Sequence, residues 1–266
     1  MSHPLPCALF EDDHLLVVNK PPGWNTHAPS PFAGEGIYDW LRHREPRWAK
    51  LAIIHRLDKE TSGVLLFALN RAAQQHVSQQ FQNNTVAKEY LALVRGRPGE
   101  REGEVDAPLA VHPTNPKRMA VAKHGGRPAR TGWRVEETFR GFALIRCFPK
   151  TGKTHQIRVH LAHIGLPLAI DPLYGGSADG RGGASAGGGG GRGGRAAARD
   201  GIFLSQFKRD YRPTRGEKER PLISRLTLHA EKLTFTDVAG ERVEIVCPAP
   251  KDLRATLNQM RRHAGR

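Results

Sequence analysis

The chain has 266 residues, 38% hydrophobic and 25% charged, which is enough apolar material for one sizeable core. Its 41 Lys+Arg outnumber 26 Asp+Glu, and the resulting net charge of +15 sets up a field that draws polyanions such as nucleic acid backbones. Cys7, Cys147 and Cys247 lie far apart with no CxxC pair, which excludes a disulfide framework and a zinc site and fits a reducing cytosol.

The opening MSHPLPCALFEDDHLL has no basic segment followed by an apolar one, so a cytoplasmic protein without a signal peptide is expected. Apolar runs bounded by Gly, Pro and charged residues predict strands at 14–19, 63–69 and 89–94. Ala73, Val77 and Phe81 repeat every four residues and predict a helix over 70–84. A strand at 141–148 precedes a helix over 155–164, marked by Ile157, Leu161 and Ile164 and stopped by Gly165 and Pro167.

Residues 175–199 read GGSADGRGGASAGGGGGRGGRAAAR and hold no apolar periodicity. The glycines suit a flexible linker, while the arginines resemble RGG-type RNA-binding tracts. Residues 203–225 are rich in Lys, Arg and Pro and carry Phe207 and Tyr211. Such a segment is either a solvated excursion or a loop that grips single-stranded RNA through aromatic faces and cations. Strands at 226–235 and 242–247 follow, then a helix bearing Leu253, Leu257 and Met260. No apolar run is long enough to span a bilayer. The pattern predicts an α+β fold with a mixed, largely antiparallel sheet and flanking helices. A single domain over 1–266 is expected, with an insertion at about 176–224.

Four stretches concentrate unusual residues: NKPPGWNTH at 19–27, HRLDKETSG at 55–63, KEYLALVRG at 88–96 and TGKTHQIRVHL at 151–161. Asp58 precedes a strand expected to be buried on both faces, a place where a rigid scaffold presents a side chain to a cleft. Arg56 and Lys59 flank it and would hold the carboxylate ionised, though the same pattern describes a surface ion pair. His155 and Arg158 are three apart and share a helical face. Arg158 sits near a helix start, against the dipole, and needs an anion: a phosphate, or a carboxylate such as Asp58. His155, His160 and His163 lack the HExxH spacing and a third ligand, so no metal is expected.

At these residues the chain resembles a known family. HRLDKETSG resembles the HRLDxxTSG motif of RluA-type RNA pseudouridine synthases, NKPPGWNTH resembles NKPxGxxxH, and KEYLALVRG resembles KxYxAxVxG. TGKTHQIRVHLAHIGLPL with DPLYG resembles TGRxHQIRxH…GxP…GDxxYG, except that Ile170 stands where the motif has Gly. LTLHA at 226–230 resembles the late LHA.

The resemblance implies a pseudouridine synthase fold around a central RNA-binding cleft, acting on ribosomal or transfer RNA without cofactor or metal. It implies that Asp58 is the catalytic carboxylate and that Arg158 pairs with it. Tyr90 would lie against the flipped uracil and handle the C5 proton, and Arg56 would enter the RNA stack. His55, Lys20 and His155 are expected among the RNA contacts, joined by Lys208 and Arg209 of the basic segment. With the motifs beginning so early, no N-terminal S4-like module is expected, and the protein is expected to be a monomer.

Two other readings stay in view. A non-catalytic RNA-binding protein on the same fold would suit the charge but not the intact Asp58, Tyr90 and Arg158 set. A nucleoside hydrolase acting on free nucleotides is the third. An ordinary glycoside hydrolase needs two carboxylates flanking the scissile bond, and Glu60 is too near Asp58 in sequence to be the second.

Overall fold

A computed structural model describes residues 5–28, 36–175, 201–208, 210–212 and 218–264. The chain opens with β1 (Cys7–Glu11) and β2 (Leu15–Lys20), then α1 (Ile37–Arg44), β3 (Ala52–Ile53), β4 (Ser62–Ala68) and α2 (Arg71–Gln82). The middle is almost all strand: β5 (Ala87–Arg95), β6 (Glu102–Asp106), β7 (Leu109–His112), β8 (Asn115–Val121), β9 (Arg130–Phe139) and β10 (Phe142–Pro149). It closes with α3 (Gln156–His163), β11 (Leu228–Thr236), β12 (Arg242–Val246) and α4 (Lys251–His263).

Among the described residues, ten strands form one sheet in the order β1-β2-β4-β11-β5-β10-β9-β6, with β3 on β4 and β12 on β11, while β7 and β8 make a separate hairpin. Only β4 and β11 run parallel; every other pair of named strands is antiparallel. This is the α+β, mixed and largely antiparallel architecture that the pattern predicts. All seven residues of β4 are buried, as a strand covered on both faces requires. Asn70 caps α2 by accepting from the Ala73 N–H at 3.0 Å, and Leu253, Leu257 and Met260 turn α4 onto the sheet.

The strand register matters most for the site. Lys20 pairs with Gly63, Gly63 with Ala230, Ala230 with Tyr90, and Tyr90 with Cys147. One row across five neighbouring strands thus collects, on the first four, residues from the NKPPG, HRLDKETSG, LHA and KEY stretches. Gly63 makes the row possible. Its φ is +121°, and a Cβ there would stand 2.0 Å from the Ala230 carbonyl oxygen, so only glycine lets β4 and β11 close.

The periodicity missed β1, α1, β3, β6, the β7–β8 hairpin and β9. In β9, Thr131 and Trp133 are buried while Arg130, Arg134 and Glu136 alternate outward, so no continuous apolar run marks the strand. The N-terminal helical turn expected at 155 begins one residue later, because His155 takes a left-handed φ of 55° and caps α3 instead of entering it.

Candidate active site

The turn that carries Asp58 is tied down by the NKPPG segment. The Lys59 carbonyl accepts from Lys20 Nζ at 2.7 Å and from the Gly23 N–H at 2.9 Å. Thr26 Oγ1 bonds both the N–H and the carbonyl of Leu57 at 3.2 Å. The Thr61 N–H closes the turn on the Asp58 carbonyl at 3.1 Å. Backbone bonds on both sides of residue 58 fix the direction of its side chain without using the side chain itself.

Asp58 then meets Arg158 from α3. Arg158 Nη1 donates to Asp58 Oδ2 at 3.0 Å, while its Nε and Nη2 form a two-pronged pair with Asp171, both at 2.8 Å. Asp171 also accepts the N–H groups of Leu173 and Tyr174, so its carboxylate is fully engaged and closed to solvent. The Asp58 side chain keeps a quarter of its surface exposed. Burial alone would lower the Arg158 pKa, yet the hydrogen bonds and charges of Asp171 and Asp58 hold it above the usual arginine value. The anion that Arg158 needed is therefore a pair of carboxylates, one buried and one facing the cleft.

His155 also approaches Asp58, with Nε2 at 3.9 Å from Oδ2, the oxygen that Arg158 bonds. Its Nδ1 lies 2.9 Å from the Tyr174 hydroxyl, which already accepts the Met119 N–H at 2.8 Å. The phenolic proton is thus free to go to Nδ1, which leaves the imidazole proton on Nε2, facing Asp58. Burial keeps the His155 pKa below its ordinary value against the pull of Asp58, which favours this neutral form. The Arg158 and Arg118 guanidinium groups also lie over the Tyr174 ring, 5.1 and 5.2 Å from its centre.

An open cleft of about 890 Å³ lies above these groups, lined by Asn25, His27, Arg56, Asp58, Lys88, Tyr90, Lys153, His155 and Arg158 among others. Tyr90 is half-buried, and burial together with the Asp58 charge pushes its phenol above the ordinary value. Its hydroxyl makes no hydrogen bond among the described residues. Lys88 is held down to about 8, first by burial and then by repulsion from Lys153.

Asp58, Tyr90, Arg158, Arg56, His155 and His55 line this cleft, and Lys20 and Lys208 do not. Lys20 is fully buried and donates to the Pro21 and Lys59 carbonyls, so it braces the Asp58 turn rather than meeting RNA. His55 lines the cleft, but its Nε2 accepts the Leu66 N–H at 3.1 Å and its ring stacks on Phe81 at 4.8 Å. Burial drives its pKa to about 3, so it is a neutral prop for the edge of β4.

Lys208 is exposed but absent from the cleft wall, and its neighbour Phe207 is buried against Phe142, opposite Arg95 at the far end of β5. The stacking role considered for Phe207 therefore fails. Arg209 and the Gly/Arg-rich stretch lie outside the described residues. Arg56 and Lys59, expected to pair with Asp58, are both exposed and form no ion pair with it; Arg158 does. Asp171, Tyr174, Gln156 and Lys88 carry parts that residue spacing did not assign. Of these, Asp171 and Tyr174 were visible only as letters of the DPLYG segment.

Among the described residues, no group of three His, Cys, Asp or Glu side chains is arranged to hold a metal, and no helix is long and apolar enough to cross a membrane. The fold is α+β, and among the described residues its open cleft presents one part-exposed carboxylate, Asp58, braced by a guanidinium. The comparisons with known proteins narrow this class. The profile described as RNA pseudouridylate synthase matches residues 14–163. The ribosomal large subunit pseudouridine synthase D of Xanthomonas campestris pv. campestris is 35% identical over 262 residues, covering 97% of this chain and 70% of that one. Synthase C of Escherichia coli K12 is 35% identical over 255 residues, covering 95% and 69%.

Synthase D of Nitrosomonas europaea is 45% identical over 170 residues, and that match covers 63% of this chain but only 49% of the relative. Among solved structures, Human RNA Pseudouridylate Synthase Domain Containing 1 superposes with a TM-score of 0.65 at 26% identity, over 92% of this chain and 84% of that one. The chain belongs to the RNA pseudouridylate synthase family, a family of isomerases, as the RluA-type resemblance implied.

Proposed function

We propose that this protein converts uridine to pseudouridine in RNA, with ribosomal RNA as the substrate class, and that Asp58 is the carboxylate that meets C1′ of the target nucleoside. One observation carries the assignment of the acid: Asp58 is the carboxylate that Arg158 presents to the cleft, while Asp171, on the same guanidinium, is sealed behind it.

The reaction breaks N1–C1′, turns the base and joins C5 to C1′; N1 gains the proton that C5 gives up, so no redox partner is needed. A carboxylate at C1′ assists glycosidic cleavage by attack or by stabilising positive charge. Tyr90 offers its ring as a stacking face for a base taken out of the helix. Its phenol is held protonated by burial and by the Asp58 charge, which favours a role in orienting a water as acceptor of the C5 proton over a role as phenolate base. Arg56, exposed on the same wall and without an ion pair among the described residues, is available to the RNA. The names of the synthase C and D relatives support ribosomal RNA as the class.

The test is Asp58→Asn assayed on ribosomal RNA lacking its own pseudouridines. Formation is expected to vanish while RNA affinity stays within a few-fold. Full activity in that variant overturns the assignment. Release of free uracil by the wild type would instead favour hydrolysis.

A further inference from the structure

The cleft holds more positive charge than its one exposed carboxylate balances. Lys88 and Tyr90 are alternate residues of β5 and project to the same face, about 7 Å apart along the strand. Glu89, between them, faces the other way and bonds Arg146 and Lys232, so it cannot serve Lys88. The Lys88 ammonium reaches one acceptor among the described residues, the Thr151 carbonyl at 3.4 Å, which leaves donors unfilled in a partly desolvated wall.

Lys153 lines the same cleft close enough to repel Lys88, and neither lysine forms an ion pair among the described residues. The turn bearing Lys153 is fixed from beneath by Gln156, which is buried. Its Oε1 accepts from the Thr151 hydroxyl at 2.7 Å and from the Lys153 N–H at 3.0 Å, while its amide nitrogen donates to the Arg130 carbonyl and Thr131 Oγ1, each at 2.9 Å.

Two like charges held near one another by a rigid turn and a strand are unfavourable in isolation. An anion placed between them reverses the sign of the interaction, and a compact ammonium suits a single phosphate oxygen. We infer that Lys88 and Lys153 form a phosphate-binding subsite that holds the phosphodiester beside the uridine extruded onto Tyr90. The inference deepens the proposed reaction and rests on it for the identity of the base. Without it, the geometry still specifies an anion site one strand step from an aromatic face.

The experiment compares binding of uridine, uridine 5′-monophosphate and uridine 3′-monophosphate to the full-length protein, followed by ligand-observed NMR. At least one monophosphate is expected to bind about tenfold or more tighter than uridine, as a charge-assisted contact implies. Lys88→Met and, separately, Lys153→Met should shrink that gap to about twofold or less, with uridine affinity unchanged. Lys153 is on a turn, so its variant keeps the test sound if Lys88→Met fails to fold.

Equal affinities of the wild type for uridine and both monophosphates, or a gap that survives in both variants, overturns the subsite. Absence of measurable binding by any of the three ligands overturns it too. None of these readouts needs turnover. A wild type that leaves ribosomal RNA unmodified yet keeps the lysine-dependent gap would sink the reaction and leave the subsite standing.

Discussion

Asp171 grips Arg158 from behind: both of its carboxylate oxygens accept from the guanidinium at 2.8 Å, and its side chain is fully buried. Its effect on Asp58 is indirect. It sets the plane of the guanidinium, and that plane decides where Nη1 offers its proton to the cleft carboxylate. Asp171→Asn keeps the shape but turns an NH2 towards a cation, so the grip loosens. Pseudouridine formation is expected to fall about 10- to 100-fold in kcat with RNA affinity within a few-fold, as for other outer partners of a reacting group. Arg158→Lys should do at least as much harm, since one ammonium cannot span two carboxylates. Single-turnover rates check both, and a wild-type rate in Asp171→Asn removes Asp171 from the site.

The strands and helices that the sequence revealed are those with apolar runs or a clear four-residue repeat, such as β4, β5, α2 and α4. Strands with one solvated face, β9 above all, alternate too finely with charged residues to stand out. Asp58, Tyr90 and Arg158 were legible because their motifs are dense and ordered, but the reason they meet was not. Part of that reason is lateral: the register Lys20–Gly63–Ala230–Tyr90 crosses four strands far apart in sequence, while Arg158 arrives separately on α3. Burial is equally hidden from a string of letters. Lys20 and His55 sit in conspicuous motifs and were expected among the RNA contacts, and only the packed strands show Lys20 buried and the His55 ring engaged by the Leu66 N–H.

Gly63 tests the register directly. Any side chain there must displace the Ala230 carbonyl, 2.0 Å from the position of a Cβ, and must also tolerate a φ of +121°. Overpacking against backbone and left-handed strain add, so Gly63→Ala is expected to cost about 3 kcal/mol or more. For a chain of this size that is a melting temperature lower by roughly 6 °C or more. Thermal unfolding followed by circular dichroism measures it. A variant within about 1 °C of wild type would mean that β4 and β11 do not meet as described.

Tyr174 sets the protonation pattern of His155. With the Met119 N–H already donated to its oxygen, the phenol can give its proton to His155 Nδ1, which leaves Nε2–H towards Asp58. Tyr174→Phe removes that donor and strands the Met119 N–H. Its stability should drop by about 1–2 kcal/mol, and the His155 tautomer should become mixed. Nitrogen-15 NMR, with the His155 resonance assigned by comparison with His155→Gln, reads the tautomer. A proton found on Nδ1 in the wild type would reverse the direction of this chain of hydrogen bonds.

Lys20 gives the turn beneath Asp58 a pH dependence whose sign follows from its burial. Desolvation, opposed by Glu60 and Asp58, takes its pKa from 10.5 to about 7 in the folded protein. Between those values the unfolded chain holds a proton that the folded one has released, so stability rises with pH across that window. Above 10.5 both states are neutral, and the contribution is complete; below about 7 both are charged, and it is lost. A neutral amine still has two protons for the Pro21 and Lys59 carbonyls, so the hydrogen bonds survive the change. Lys20→Met removes the titration and keeps most of the volume. In urea unfolding, the stability of wild type minus that of the variant should climb by up to about 1.4 kcal/mol per pH unit between pH 8 and 9.5. Groups common to both proteins cancel in that difference. If it stays flat, the lysine is charged in the fold, and the turn is held by an ammonium rather than an amine.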